Sequence, residues 1–379
     1  MAPQAFITGG TGFIGHRLVK RLLDDGWSVR ALVLEPERTR LPEHPRLELL
    51  VGDVTKAETF RGGMDGADAV FHLAALVAAW IRDNREYFRV NVQGTAHVID
   101  EAIRARVPRF LFTSSMSGIG VTPGAVMRED SPPGKTFGPY ELSKAQAERL
   151  VENAVRERGL PAITLIPSIV LGSGDTFNTG KFLLSYVKGE FPGTFAEGSV
   201  LPVVGADDVA RAHLLAYHRG RVGERYIICG ENVGWGEIMR IASAASGTPM
   251  PSRHIGARAI WLASRSGEVF SRVTRSAPRL PAWLADFLLT GATMDHGKSV
   301  RELGMTYRPI AESIQEAIDW FRAEGLVGGP QRAPYEVPGL QLPVENPPLE
   351  VPGEFEPRTP PAGGLPARDQ RRKPPEGPT

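Results

Sequence analysis

At 379 residues, 42% hydrophobic and 23% charged, the chain is long enough for one large or two ordinary domains around a sizeable core. A net charge of +1 and a pI near 7.9 exclude the strongly basic balance of a nucleic-acid binder. One cysteine, Cys229, excludes an intrachain disulfide, and no uninterrupted apolar run reaches the length of a membrane span.

No charged-then-apolar leader precedes the first strand, so no signal peptide is expected and the cytoplasm is the default location. Ala5-Phe6-Ile7-Thr8 is a short apolar, β-prone run. Glycines follow at 9, 10, 12 and 15, and Leu18, Val19, Leu22 and Leu23 then repeat at helical spacing. The order is strand, glycine turn, helix. Gly9 lets the chain turn sharply, Gly12 lets the backbone approach a pyrophosphate, and Gly15 lets the helix pack closely on the strand. The helix start adds free N–H groups and a positive dipole end for phosphates. A glycine triplet alone is a weak signal. Between a strand and a helix at the head of an α/β pattern it points to a nicotinamide dinucleotide, NAD(P)(H).

Residues 28–34 read as a second strand. Glu35 falls about twenty residues beyond Gly15, where an acid accepts from the adenosine ribose 2′-hydroxyl and favours NAD. Arg38 nearby could instead pair with the 2′-phosphate of NADP, and the reading leans slightly to NAD. Residues 47–51 give a third strand ending in Gly52-Asp53-Val54. Residues 69–73 give a fourth, ending in His72-Leu73-Ala74-Ala75, where small residues suit close approach by a cofactor. His72 reads as a structural histidine. Residues 87–104 form a helix with Asn91 in its first turn. Residues 109–113 are a fifth strand, leading into Ser114-Ser115-Met116-Ser117. Residues 140–158 form a long helix, and residues 162–166 a sixth strand followed by Pro167.

From Leu171 the pattern loosens. A loop is expected over 172–180 and a short helix over 182–188. Val203, Val204 and residues 207–212 are read as preceding a helix that runs to about 219. A strand over 226–229 and helices over 235–246, 258–273, 282–289 and 310–324 complete this half. Nearly half of the 32 prolines then crowd into residues 328–379, which cannot bury enough surface to offset their ordering entropy. The expected architecture is α/β: a Rossmann-type doubly wound parallel sheet over 1–170, and a smaller α/β substrate domain over 171–327, interleaved with the first. A disordered Pro-rich tail with polyproline II character follows.

The chemistry centres on Tyr140 and Lys144, four apart on one helix face. An ammonium near a phenol favours the phenolate, so Lys144 is expected to draw the Tyr140 pKa down from about 10. Tyr140 then serves as general acid or base for a carbonyl/alcohol pair. Ser115, at a strand end, can hydrogen-bond the same oxygen. No metal site is expected.

These segments together resemble the extended short-chain dehydrogenase/reductases, within the NAD-dependent epimerase/dehydratase family. Thr8-Gly9-Gly10-Thr11-Gly12-Phe13-Ile14-Gly15 is similar to that family's cofactor motif, Asp53-Val54 to its adenine-contacting pair, and His72-Leu73-Ala74-Ala75 to its fourth-strand motif. Asn91-Val92-Gln93-Gly94-Thr95 resembles its Asn-Val-x-Gly-Thr helix, which places Asn91 beside the catalytic Ser115, Tyr140 and Lys144. Pro167-Ser168-Ile169-Val170-Leu171-Gly172 resembles the segment beside the nicotinamide, and Asp207-Asp208-Val209-Ala210 a motif of the C-terminal half. The likeness covers about residues 3 to 325. Within the family the chain looks most like dihydroflavonol-4-reductase-like proteins, including the hopanoid-associated sugar epimerase branch.

Two departures narrow the chemistry. Met116-Ser117 stands where sugar-nucleotide dehydratases carry an Asp-Glu pair, and Leu201-Pro202-Val203-Val204 stands where nucleotide-sugar enzymes show an Arg-Asp-Phe/Tyr segment. Both favour a less charged, more hydrophobic carbonyl substrate. Leu34 also replaces an Arg that NADP-dependent relatives often carry. The resemblance implies a ketone reductase or secondary alcohol dehydrogenase acting on a small molecule. A sugar epimerase using NAD transiently is the runner-up, and a non-catalytic dinucleotide sensor the minor reading. It also implies a homodimer packed through the helices of Asn91 and Tyr140.

Overall fold

The computed structural model describes residues 2–328 except 176–177, 192 and 275. All lie in one unit, Met1–Tyr335. The tail expected over 328–379 falls, beyond Gly328, outside the described residues.

From the N-terminus run β1 (Gln4–Thr8), α1 (Gly15–Asp24), β2 (Ser28–Val33), β3 (Leu47–Val51), β4 (Ala69–His72), α2 (Arg85–Phe88), α3 (Gly94–Arg104), β5 (Phe110–Thr113), α4 (Met116–Ile119), β6 (Val126–Met127), α5 (Pro139–Arg158) and β7 (Ala162–Pro167). Then follow β8 (Ile169–Leu171), α6 (Asn178–Val187), β9 (Val200–Gly205), α7 (Ala206–Arg219), β10 (Arg225–Ile228), β11 (Glu231–Gly234), α8 (Trp235–Ser246), α9 (Ala257–Thr274), α10 (Ala282–Thr290), β12 (Thr293–Met294) and α11 (Ile310–Ala323).

Seven strands form one parallel sheet in the order β10-β7-β5-β4-β1-β2-β3. The central strands β4, β5 and β7 are buried along their whole length, as a sheet covered by helices on both faces requires. Side chains alternate between two cores. Phe6, Val70 and Phe110 pack with Val98 of α3 and with Ala147 and Val151 of α5. Phe71 points the other way, toward Trp27 (ring centroids 6.1 Å apart) and His213 of α7 (6.5 Å). The strand order reverses between β1 and β4, and a crevice at the carboxyl ends of strands at such a point is where ligands bind in open α/β sheets.

The later elements build a smaller layer. β8 pairs parallel with β9 and β11 antiparallel with it. Leu201, Val203, Trp235, Ile314 and Phe321 form the core beneath. β10 lies among these later elements in sequence but joins the main sheet beside β7. Two boundaries differ from expectation. The helix read at 182–188 starts at Asn178, inside the expected loop. Residues 207–212 lie within α7 rather than before it, because Asp207 and Asp208 suit the positive end of a helix and sit in its first turn. β8 and β11, three and four residues long, show too little alternation to be read beforehand.

Candidate active site

β1 hands the chain to a turn at Gly9, whose φ is +73°. A Cβ there would lie 2.6 Å from the Ala74 nitrogen, because the segment after β4 closes on the turn. The Leu73 N–H donates to the Thr8 carbonyl (3.1 Å) and the Ala74 N–H to the Thr8 hydroxyl (3.2 Å). Leu73, Ala74 and Ala75 are thereby brought to the glycine turn. Gly15 departs from expectation. A Cβ on it would stand 1.9 Å from the Gly9 carbonyl oxygen, so its bareness serves the turn itself more than packing of the helix on the strand.

Gly12 is exposed, and within 4 Å a Cβ there would meet only the Gly9 oxygen, at 3.2 Å. α1 begins after Ile14 with no side-chain cap and no acid in its first turn. An open backbone cradle at an uncapped helix start fits a pyrophosphate. Thr11, Gly12, Phe13 and Ile14 form its rim. Arg17 anchors the rim to later elements. It donates to the Phe13 carbonyl (2.9 Å) and the Ser173 carbonyl (2.6 Å), and it pairs with Asp207 (3.3 Å).

At the adenosine side, Glu35 is exposed at the start of a short 3-10 turn, Glu35–Arg40. The side chain of Arg38 lies outside the described residues. The acid that touches the glycine turn is one that sequence reading missed: Glu37 accepts from the Thr11 hydroxyl at 2.6 Å and from Arg40 at 2.9 Å. Asp53 follows β3 and accepts from the Thr55 N–H (2.8 Å) and hydroxyl (2.9 Å), while Val54 is buried against Gly94. Pro167 ends β7, buried and paired with Ile228.

A buried chain of hydrogen bonds joins the glycine turn to the helix of Tyr140. Thr95 donates its hydroxyl to the Asn91 carbonyl (2.6 Å), so its oxygen accepts from His72 Nε2–H (2.9 Å). His72 Nδ1 then accepts from Thr8 (2.7 Å). Asn91 lies in a π-helical turn, Arg89–Gln93, in the second turn of the helix that was expected to carry it in the first. It was also expected among the catalytic groups; in the structure its amide makes three hydrogen bonds. The oxygen accepts from Leu76 N–H (2.7 Å), and the nitrogen donates to Ser143 (2.8 Å) and to the Leu76 carbonyl (3.2 Å). Ser143 in turn donates to the Tyr140 carbonyl (2.7 Å). Asn91 ties the loop after β4 to the first turn of α5.

Tyr140 is the second residue of α5, after a Pro139 start that suits a helix N-terminus. Burial pushes its phenol up to about 12, and a hydrogen bond with the Ser115 hydroxyl draws it back in part. Nearby Glu141 and Tyr87 also raise it. The expected lowering by Lys144 is not met. The buried Lys144 ammonium donates to the Thr113 carbonyl at 2.8 Å and lies 4.9 Å over the Phe112 ring. Burial pushes Lys144 down to about 8, with Glu148 pulling it up. Glu148 itself pairs with Arg225 (2.7 Å) and accepts from Ser114. Ser115 caps α4, its oxygen accepting from the Ser117 N–H at 3.2 Å, which leaves its proton free to donate. Ser115 and Tyr140 thus meet beyond the carboxyl end of β5, near the crevice between β1 and β4. Aromatic side chains flank the start of α5, with the Tyr87 ring 6.1 Å from that of Tyr140. Tyr87 donates to the Ala78 carbonyl (2.7 Å), and Trp283 of α10, packed beside Gly138, donates to the Ala79 carbonyl (2.9 Å).

His72 and His213 are fully buried and neutral, their pKa values pushed by burial to about 3 and about 4. His213 Nδ1–H donates to the Val209 carbonyl (2.8 Å), so Nε2 accepts from Thr113 (2.7 Å). Protonation would oppose a hydroxyl donor at either ring. Both folded values lie below the ordinary 6.5, so this stability is present above pH 6.5 and is lost as pH falls toward the folded values. The thermal midpoint should drop by roughly 5 °C or more from pH 7 to pH 5. Scanning calorimetry across that range checks this, and a flat midpoint contradicts it.

Comparison with known proteins adds the family. The model described as "NAD dependent epimerase/dehydratase family" matches residues 5–229. A Synechocystis sp. protein named "Putative dihydroflavonol 4-reductase" is 32% identical over 340 residues, covering 86% of this chain and 97% of that one. The "Sterol demethylase protein B" of Methylococcus capsulatus is 30% identical over 332 residues, covering 85% and 99%. The crystal structure of gox2253 superposes with a TM-score of 0.75 at 31% identity, covering 86% of this chain and 99% of that one.

Proposed function

The chain belongs to the NAD-dependent epimerase/dehydratase family, and from that premise we propose that it is an NAD(P)-dependent oxidoreductase interconverting a ketone and a secondary alcohol. The observation that carries this reading is the placing of Ser115, at the end of β5, near enough to Tyr140 to act on its phenol, in a fold that also offers an open pyrophosphate cradle. The bound nicotinamide would supply or accept the hydride. Tyr140, a neutral acid in this setting, gives its phenolic proton to the carbonyl oxygen. Ser115 donates to the same oxygen and orients it. Lys144 would hold the nicotinamide ribose.

Two features support an uncharged substrate. Met116, just after Ser115, is buried and apolar, so no acid stands there to assist water elimination. β9 carries no charged side chain to neutralise a diphosphate. The names of relatives that act in sterol chemistry agree with a lipophilic carbonyl compound. A homodimer packed through α3 and α5 and a cytoplasmic location are finer parts of the same reading. The family name itself supports the second reading, a sugar epimerase with transient cofactor reduction.

On our reading Glu35 and Glu37, just after β2, oppose a 2′-phosphate. NADH should bind at least about tenfold more tightly than NADPH in side-by-side calorimetric titration. The reverse order overturns the preference for NAD and moves the weight to Arg38. A screen of ketones with the preferred cofactor then tests the activity. Net cofactor oxidation supports the reductase, and turnover without net redox change supports the epimerase.

A further inference from the structure

α9 wears its polarity inside out. Ser264 and Ser271 turn inward with Ile260 and are buried, while Leu262, Val269, Phe270 and Val273 point outward with 61%, 61%, 66% and 80% of their surface exposed. Trp261 adds a further exposed ring at the edge of this face. A helix on an ordinary protein surface shows the opposite pattern. The helix is not loosely held. Its Arg265 pairs with Asp286 of α10 (2.8 Å), and the Glu268 carboxylate accepts from the Ala282 N–H (3.1 Å). The apolar face is therefore presented by a braced element.

Charge says what covers it. Residues 253–279 carry six arginines, at 253, 258, 265, 272, 275 and 279, against one acid, Glu268. Counting also Asp286, which pairs with Arg265, the local net charge is +4 in a chain whose whole sums to +1. Arg253, Arg258 and Arg279 are exposed. A second copy docking by the same face would bring two such clusters together, and like charges across an interface oppose association. An anionic surface would neutralise them. An apolar face edged by tryptophan and arginine is the pattern of a helix lying in the plane of a lipid interface.

We propose that the outward face of α9 docks this protein on an anionic phospholipid surface, with Leu262, Val269, Phe270 and Val273 entering the acyl boundary and Arg253, Arg258 and Arg279 meeting the headgroups. No helix among the described residues is long and apolar enough to cross a membrane. α10 packs on α9 and carries Trp283, which bonds the Ala79 carbonyl beside the start of α5, so docking sets that contact one helix away from the lipid.

The test uses the purified full chain and vesicles of phosphatidylcholine, with and without about 30% phosphatidylglycerol. The wild-type protein should float with the anionic vesicles and be released by high salt, and it should bind neutral vesicles at least about tenfold more weakly. The double variant Leu262→Asp/Phe270→Asp should lose at least about tenfold in anionic binding. Both side chains point outward, so its melting temperature should stay at the wild-type value. Arg258→Glu/Arg279→Glu, which leaves the apolar face intact, should abolish the preference for anionic vesicles. No binding by wild type overturns the proposal. So does a dimer in sedimentation equilibrium that the aspartate variant dissociates, because the face would then be covered by a second copy.

Discussion

Tyr140→Phe should lower kcat for a ketone substrate by about a hundredfold to ten-thousandfold, with dinucleotide affinity and melting temperature close to wild type. The substitution removes one oxygen. That oxygen is the group placed against Ser115. The ring remains, together with its neighbour Tyr87 at 6.1 Å between centroids, so packing is kept. Burial holds the phenol protonated up to about 12, which suits it to give a proton at neutral pH and leaves phenylalanine with nothing to give. The readout is single-turnover oxidation of the reduced cofactor by a ketone found in the screen, alongside calorimetric binding of the cofactor. Near-wild-type turnover by the variant would sink the mechanism.

Gly15→Ala should cost stability and cofactor affinity together. The new methyl carbon would sit 1.9 Å from the Gly9 carbonyl oxygen and 2.8 Å from the Gly9 carbonyl carbon. Both are backbone atoms and cannot rotate away, so the glycine turn or the start of α1 must move. Helix propensity alone would favour alanine by about 1 kcal/mol, and the overlap must overcome that first. We expect a net loss of about 3 kcal/mol, which for a chain of this size lowers the melting midpoint by several degrees. The displaced cradle should weaken dinucleotide binding at least about tenfold. Gly198→Ala is the control. No atom lies within 4 Å of a Cβ there, so stability and binding should be unchanged. A Gly15→Ala protein as stable as the control would show that the turn is softer than this geometry implies.

The parts legible in the sequence are those whose signal is local. Gly9, Gly12 and Gly15 sit within one turn of each other between a strand and a helix. Tyr140 and Lys144 share one helix. His72 reads as structural from its apolar strand, and the structure buries it among Thr8 and Thr95. What escaped is long-range. Arg17 looks like a solvent-facing residue of α1, yet its guanidinium reaches Ser173, 156 residues away. Trp283 meets the loop after β4 across 204 residues. Ser143 lies between Tyr140 and Lys144, and only its three-dimensional contact with Asn91 shows its use. The Lys144 reading failed for a related reason. Spacing places its Cα one turn from Tyr140, but the ammonium is captured by the Thr113 carbonyl, which spacing does not show.

During synthesis the main sheet stays open on one side until Ile228 has left the ribosome. β7, including Leu165 and Ile166, which have no exposed surface in the finished fold, waits as an unpaired edge while β8, α6, β9 and α7 are made. About sixty residues separate the two strands, several seconds of translation at ordinary speed. A sheet formed in that interval would have six strands, with β3 at one edge and β7 at the other, and only β7 is covered later. Chaperone occupancy or a stray strand from a neighbouring polysome would compete for the place of β10, and slow codons before Arg225 would lengthen the exposure.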